Sequence, residues 1–274
     1  DVHRCLEWQG HTDVLQPFAA GGLRVLAVNP HGKVDPYLPS RRGDVSGCRL
    51  PYHAALVESG VVDIVILPEA HVSDGEVRNV REYVATLDNV HSRAAPSSAA
   101  VATMEHAASS KAISSSTHSG IVVLMPTKLA ASLQSVRHYH SGRVLHLHLR
   151  DALQRDLHVI AVYGVSSPMQ NAAKQRLNAD VHQVVATLLA RYAGSAILVA
   201  GDINTAWRAQ DRQSGQLERY DTNPHALWKL FSQHGLSECH TVAWSERTDM
   251  TFKPNGKGVS RIDGIWANAQ LRAW

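Results

Sequence analysis

Asp202 and Asn204 stand two apart at the end of an apolar run, residues 196–200, that passes through Gly201. Residues i and i+2 of a strand share a face. If the strand continues through the Gly-Asp step, the acid and the amide leave its end side by side. Such a pair can orient a water and hold an oxyanion or a metal-bound phosphate. Gly, Asp and Asn are also turn residues, so the same four letters read equally as a strand closing in a turn. Other apolar runs end in comparable groups. Residues 23–28 lead into Asn29, 61–67 into Pro68 and Glu69, and a final run carries Asp263 within Arg261-Ile262-Asp263. Tyr163 closes a fifth run, 157–163. Each alone reads as an ordinary loop polar group. His146 and His148, also two apart, could ligate a metal. No third ligand lies near them in sequence, and a solvent-facing sheet surface is the simpler reading of both.

The elements that must position these groups alternate between strands and helices. Residues 52–59 suit a short helix closed by Gly60, set between the runs 23–28 and 61–67. Strand, helix, strand is the opening rhythm of an α/β or layered fold. Residues 75–87 place Val77, Val80, Val84 and Leu87 at helical spacing. Residues 143–150 alternate with period two, and 157–164 follow after a short connection, which suggests antiparallel pairing. The strongest helix spans 171–192, with a stripe of Leu177, Val181, Val184, Val185, Leu188, Leu189 and Tyr192. A second covers 224–234, with Pro224 in its first turn and Gly235 after its end. Residues 92–119 are rich in Ala and Ser, and read as a flexible insertion, partly helical at most, within a single domain spanning 1–274.

The totals suit one large soluble globular domain, with 44% hydrophobic and 19% charged residues. A net charge of +3 is compatible with a phosphate-rich partner and too weak to argue for one. Three scattered cysteines and no Cys-x-x-Cys pair suggest neither a disulfide framework nor a zinc ribbon. They point to a reducing, intracellular compartment, with the nucleus compatible. No apolar run approaches membrane-spanning length, and the start at Asp1 carries no signal-peptide pattern.

Taken in order, these strand ends resemble the endonuclease/exonuclease/phosphatase superfamily of metal-dependent phosphodiesterases. The strand ending in Asn29 is similar to the family's first motif, Leu67-Pro68-Glu69-Ala70-His71 to its Leu-Gln-Glu-Thr-His motif, and His118-Ser119-Gly120-Ile121-Val122-Val123-Leu124 to its Ser-Gly strand. Val159–Tyr163 resembles the strand with its active-site tyrosine. Gly201-Asp202-Ile203-Asn204 and Ser260-Arg261-Ile262-Asp263-Gly264-Ile265 resemble its last two motifs in this chain. Within the family, Asp211-Arg212, Asp221, Leu236 and Thr251-Phe252 resemble the endonuclease domain of LINE-type retrotransposons, which nicks DNA so that a reverse transcriptase can prime from the break. No reverse transcriptase segment is present in this chain; such a partner would be fused or separate.

The resemblance implies a four-layer αββα sandwich of two mixed β-sheets flanked by helices. It implies Mg²⁺ or Mn²⁺ as cofactor, with Glu69 the principal ligand and Asn29 nearby on metal or phosphate. Asp202 would align or deprotonate the attacking water, Asn204 would hold a non-bridging oxygen, Tyr163 would donate to the phosphate and Asp263 would orient a histidine. Arg212, Thr251, Lys253 and Arg261 would contact the DNA backbone. The family's Ser-Asp-His motif is not found between Asp263 and Trp274, so the domain reads as C-terminally incomplete and its activity as impaired. Pro68 replaces the usual glutamine, and Pro30 follows Asn29 directly. A phosphatase or repair endonuclease of the same superfamily, or a non-catalytic scaffold, are the alternative readings.

Overall fold

A computed structural model describes residues 23–28, 50–70, 82–84, 87, 100–105, 120–139, 142–239 and 262–272. In chain order the first elements are β1 (Val25–Ala27), α1 (Leu50–Glu58), β2 (Ile64–Pro68), β3 (Ala100–Glu105), β4 (Ile121–Pro126) and α2 (Thr127–Ala130). Next come β5 (Leu133–Tyr139), β6 (Val144–Arg150), β7 (Asp156–Tyr163), α3 (Ala172–Arg191) and β8 (Ala196–Asp202). α4 (Leu227–Gln233), β9 (Ser237–Glu238), β10 (Asp263–Ala267) and α5 (Ala269–Arg272) complete the series.

The strands form two mixed sheets. One has four strands in the order β1-β2-β4-β3, the other six in the order β5-β6-β7-β8-β10-β9. β1 with β2 and β7 with β8 pair in parallel, and the remaining pairs are antiparallel. Each parallel pair needs a crossover, and α3 supplies the one between β7 and β8. The sheets face each other across a core that includes Ile64, Ile66, Ile121 and Val123 on one side and Leu145, Leu147, Val159, Ala161, Leu198 and Ala200 on the other. α1 covers the outer face of the first sheet with Leu50, Ala54 and Val57 against Val65, Leu67, Val122 and Leu124. α3 and α4 cover the outer face of the second, with Val181, Val185, Leu230 and Phe231 against Ile160, Val162, Ile197 and Val199. This is the expected αββα sandwich. It explains why β8 is buried at every position and reads as a continuous apolar run: both of its faces are covered.

Local chemistry sets the boundaries. α3 starts where Asn171, extended at φ −156°, accepts the backbone N–H of Lys174 with its side chain. β1 is pinned to β2 by Arg24, which makes a two-point contact with Asp63 at 2.9 and 3.0 Å while its own backbone N–H reaches the same carboxylate at 2.8 Å. β8 is held at its start by buried Asn268, whose side chain accepts from Ile197 N–H at 3.0 Å and donates to the Ser195 carbonyl at 2.8 Å.

Three sequence expectations change. Residues 100–105, read as helical at most, form β3 and pair along β4, because a neighbouring strand offers backbone partners that override alanine's helix preference. The helix expected over 224–234 begins only at Leu227; the residues before it form turns held by Asn223, whose side chain accepts from His225 N–H at 2.8 Å. His146 does not face solvent, and His148 does so only in part. His146 is 1% exposed, because the end of α3 lies over this face and Tyr192 covers it. The expected helix at 75–87 and the rest of the 92–119 stretch fall largely outside the described residues.

Candidate active site at the strand ends

Register brings three of the sequence-predicted residues to one level. Tyr163 ends β7 and is the parallel partner of Asp202, the last residue of β8. Asp202 is in turn the antiparallel partner of Asp263, the first residue of β10. Three adjacent strands therefore present Tyr163, Asp202 and Asp263 in a row across one end of the second sheet, and all three are buried.

Glu69 meets this row from the first sheet. Even-numbered residues of β2 face the inter-sheet core, as Ile64 and Ile66 do, so strict alternation would send residue 69 outward. A left-handed φ of 56° at Glu69 breaks the alternation just past the strand. Such a conformation is uncommon for glutamate and costs on the order of 1 kcal/mol or more. It lets the carboxylate accept a hydrogen bond from the Tyr163 hydroxyl. Burial raises the Tyr163 pKa well above its usual value, and the charge of Glu69 raises it further. Tyr163 is therefore a protonated hydrogen-bond donor throughout the ordinary pH range.

Asp202 and Asn204 are brought together by a turn, not by the continuing strand that the spacing suggested. β8 stops at Asp202, and Asn204 has a left-handed φ of 54°. Asparagine tolerates that conformation because its side chain bonds locally. The Asn204 backbone N–H donates to Asp202 Oδ1 at 2.7 Å, and its Nδ2 donates to the Gly164 carbonyl at 3.0 Å. Two glycines allow the strands to come this close. A Cβ on Gly201, at φ 138°, would lie 2.0 Å from the Val162 carbonyl oxygen, and one on Gly164 would lie 2.4 Å from that of Ile203. Both obstacles are backbone, so no rotamer change relieves them.

One site residue was not anticipated. Arg143, just before β6, lays its guanidinium over the Tyr163 ring at 4.3 Å and donates to the Gly164 carbonyl at 2.6 Å. Burial lowers its pKa, and Tyr163, Glu69 and Asp202 act in the opposite direction. Arg143 is thus a half-buried cation that offsets the charges of Glu69 and Asp202. An arginine opening a strand after a turn carries no distinguishing sequence signal.

Arg212 has a structural occupation. Its Nε and Nη2 grip buried Asp221 at 2.9 and 2.6 Å, and Asp221 also accepts the backbone N–H groups of Ala206 and Glu218 at 2.8 Å each. The pair ties together the loop that leaves the site, which accounts for this arginine without a DNA phosphate. Asn29, Thr251, Lys253 and Arg261 lie outside the described residues. Among the described residues, no three His, Cys, Asp or Glu side chains gather as a metal cage, and no helix is long and apolar enough to cross a membrane.

The fold is shared with solved DNA-processing nucleases. NExo of Neisseria meningitidis, a 3′-5′ exonuclease, superposes with a TM-score of 0.58 at 17% identity, over 82% of this chain and 84% of its own. A Neisseria NExo structure described as a 3′ phosphatase bound to a product DNA hairpin gives 0.57 at 17%, over 88% and 86%. The AP endonuclease LMAP of Leishmania major gives 0.60 at 14%, over 81% and 74%, and the APE2 catalytic domain of Xenopus laevis 0.61 at 14%, over 91% and 83%. At these identities the likeness is one of fold. No protein-family model and no curated protein matches the chain.

Proposed function

We infer that this chain is a phosphodiesterase acting on DNA, of the endonuclease/exonuclease/phosphatase type and closest in kind to retroelement endonucleases. The observation that carries the reading is the meeting of Glu69 from one sheet with Tyr163 and Asp202 from the other, beside Arg143 and with Asp263 next to Asp202 in register. Its support from known proteins is a shared fold with nucleases, one of them holding a DNA hairpin. The LINE-like motifs Asp211-Arg212 and Thr251-Phe252 favour the retroelement branch.

The donors fit a hard cation, since among the described residues Glu69, Tyr163 and Asp202 offer oxygen. Mg²⁺ is commonly held by one or two carboxylates, with phosphate and water completing its shell, so a full protein cage is not required. Glu69 would hold it, and when bound it would neutralise charge on the phosphate. Asp202, acceptor-only and buried, orients a water for attack and takes up its proton. Tyr163 remains protonated, and its one hydroxyl hydrogen, given to Glu69 in the free site, would turn to a phosphate oxygen once Glu69 holds the cation. Asn204 keeps a second Nδ2 hydrogen beyond the one used on Gly164, which can bond a non-bridging oxygen as charge develops there.

A supercoiled-plasmid nicking assay in Mg²⁺ tests this. Any nicked circles that the chain yields should vanish in Glu69→Ala and in Asp202→Ala. Nicking that survives both substitutions sinks the assignment. Comparing hydrolysis of abasic duplex, intact duplex and a phosphoinositide separates the retroelement reading from a repair endonuclease or a phosphatase.

A further inference from the structure

Away from these strand ends, the outer face of the second sheet holds a buried cluster of aromatic and titratable groups. His146 on β6 and His158 on β7 are 1% and 2% exposed. His146 Nε2 and His158 Nδ1 share a hydrogen bond of 3.0 Å. The His158 ring is stacked against His148, centroids 4.5 Å apart, and against Tyr192 at 3.8 Å. Tyr192 is the C-cap of α3, and its carbonyl accepts from Ser195 N–H in the turn that enters β8.

The hydrogen-bond arithmetic restricts this pair to its neutral form. His146 Nδ1 is buried and has no hydrogen-bond partner among the described residues. With His146 donating from Nε2 to His158, that Nδ1 is a bare lone pair, which is the cheaper way to leave a buried ring nitrogen. Protonating His146 places a hydrogen on Nδ1 with no acceptor. Protonating His158 turns its Nδ1 into a donor, so His146 must accept at Nε2 and carry its hydrogen on Nδ1, with the same result. A buried donor without an acceptor is costly. The charges around the pair add to this. Arg137 on β5, His148 on β6 and Arg191 on α3 disfavour a further positive charge on His146. Asp156 on β7 favours one on His158, but it already accepts from His148 at 2.7 Å and from Arg150 at 2.7 Å.

We propose that His146 and His158 beneath Tyr192 form an acid-operated latch: the pair takes up protons only when the last turn of α3 lifts from the sheet, so acid releases that turn and loosens the entry to β8. Burial holds the pair at about 3 and about 4, against an ordinary 6.5. With the turn lifted the rings regain that ordinary value. Coupling to one proton then raises the opening about thirtyfold between pH 7.5 and 5, and coupling to two raises it to the square of that.

Amide hydrogen exchange on the full chain, corrected for intrinsic rates, reads this out. Residues 188–195 are expected to lose about thirtyfold or more of their protection at pH 5, while residues 172–180 keep theirs. The double variant His146→Leu/His158→Phe should lose the pH effect. Imidazole and Tyr192 ring resonances of the unmutated chain give a second measure, and they should titrate together. The proposal is overturned by equal protection at both pH values, by a loss spread evenly along the chain, by a pH effect that persists in the double variant, or by histidines that titrate while Tyr192 stays still.

Discussion

At the residue scale the site balances carboxylates against a cation. Glu69 and Asp202 both act on Tyr163, and Arg143 against the Tyr163 ring offsets them. Removing one partner of a buried charge arrangement leaves the other charges uncompensated, which costs about 3 kcal/mol in well-buried cases. Arg143→Met is therefore expected to lower the urea-unfolding free energy by roughly 1–3 kcal/mol, the lower end reflecting partial exposure. Part of that loss should return when Glu69→Gln is added, and a double-mutant cycle measures the coupling. The residue scale is also where sequence reading was most uneven. Asp202 and Tyr163 were legible because an apolar run ended on each. Arg143 was not, because it owes its place to the turn before β6. The left-handed conformation of Glu69 was not legible either, since Pro-Glu-Ala has no glycine or asparagine to announce it.

At the element scale the strands act as rulers. Gly201→Ala would drive a methyl group into the Val162 carbonyl, and the change at φ 138° is strained whatever the space. Thermal unfolding should show a loss of several kcal/mol, or no folded protein, in keeping with the large costs of overpacking and backbone strain. Asn171→Ala removes only the α3 cap and should cost about 1 kcal/mol with no change at the site, checked by urea titration. The contrast between the two tests whether strand contact or helix capping sets the geometry. Sequence periodicity located β6, β7, α3 and β8 well, since each has a long buried face. It failed at β3, where alanine and serine composition hid a strand made by pairing with β4. It also assigned His146 to the correct face of β6 but could not show that α3 covers that face, because period two reveals faces and not layers.

At the scale of the whole molecule, acidity is the variable that reaches furthest. His146 and His158 are held at about 3 and about 4, below the ordinary 6.5, by burial first and by neighbouring positive groups second. Between those values the unfolded chain binds more protons than the folded one. Their contribution to stability is thus present above about pH 6.5 and is lost as pH falls toward 4. The urea-unfolding free energy should drop through that window by an amount on the order of a few kcal/mol. The loss stops growing once the α3 turn has lifted, because the histidines then take protons freely. Asp156 acts in a lower window: hydrogen bonds from Arg150 and His148 hold it at about 2, so its share is present above about pH 4 and fades below that.

The arrangement of the second sheet bears on the order in which the protein assembles. β5 through β8, with α3 between β7 and β8, are contiguous in the chain and pair with one another. Contacts close in sequence form early, because they close the shortest loops. This stretch carries Arg143, Tyr163 and Asp202, whereas Glu69 comes from before it and Asp263 from after it. Contact order therefore predicts that in refolding the cation and the tyrosine that it supports are set before the flanking acids arrive, so that the acids gather only over their counter-charge; φ-values higher in β7 and β8 than in β2 and β10 would show it.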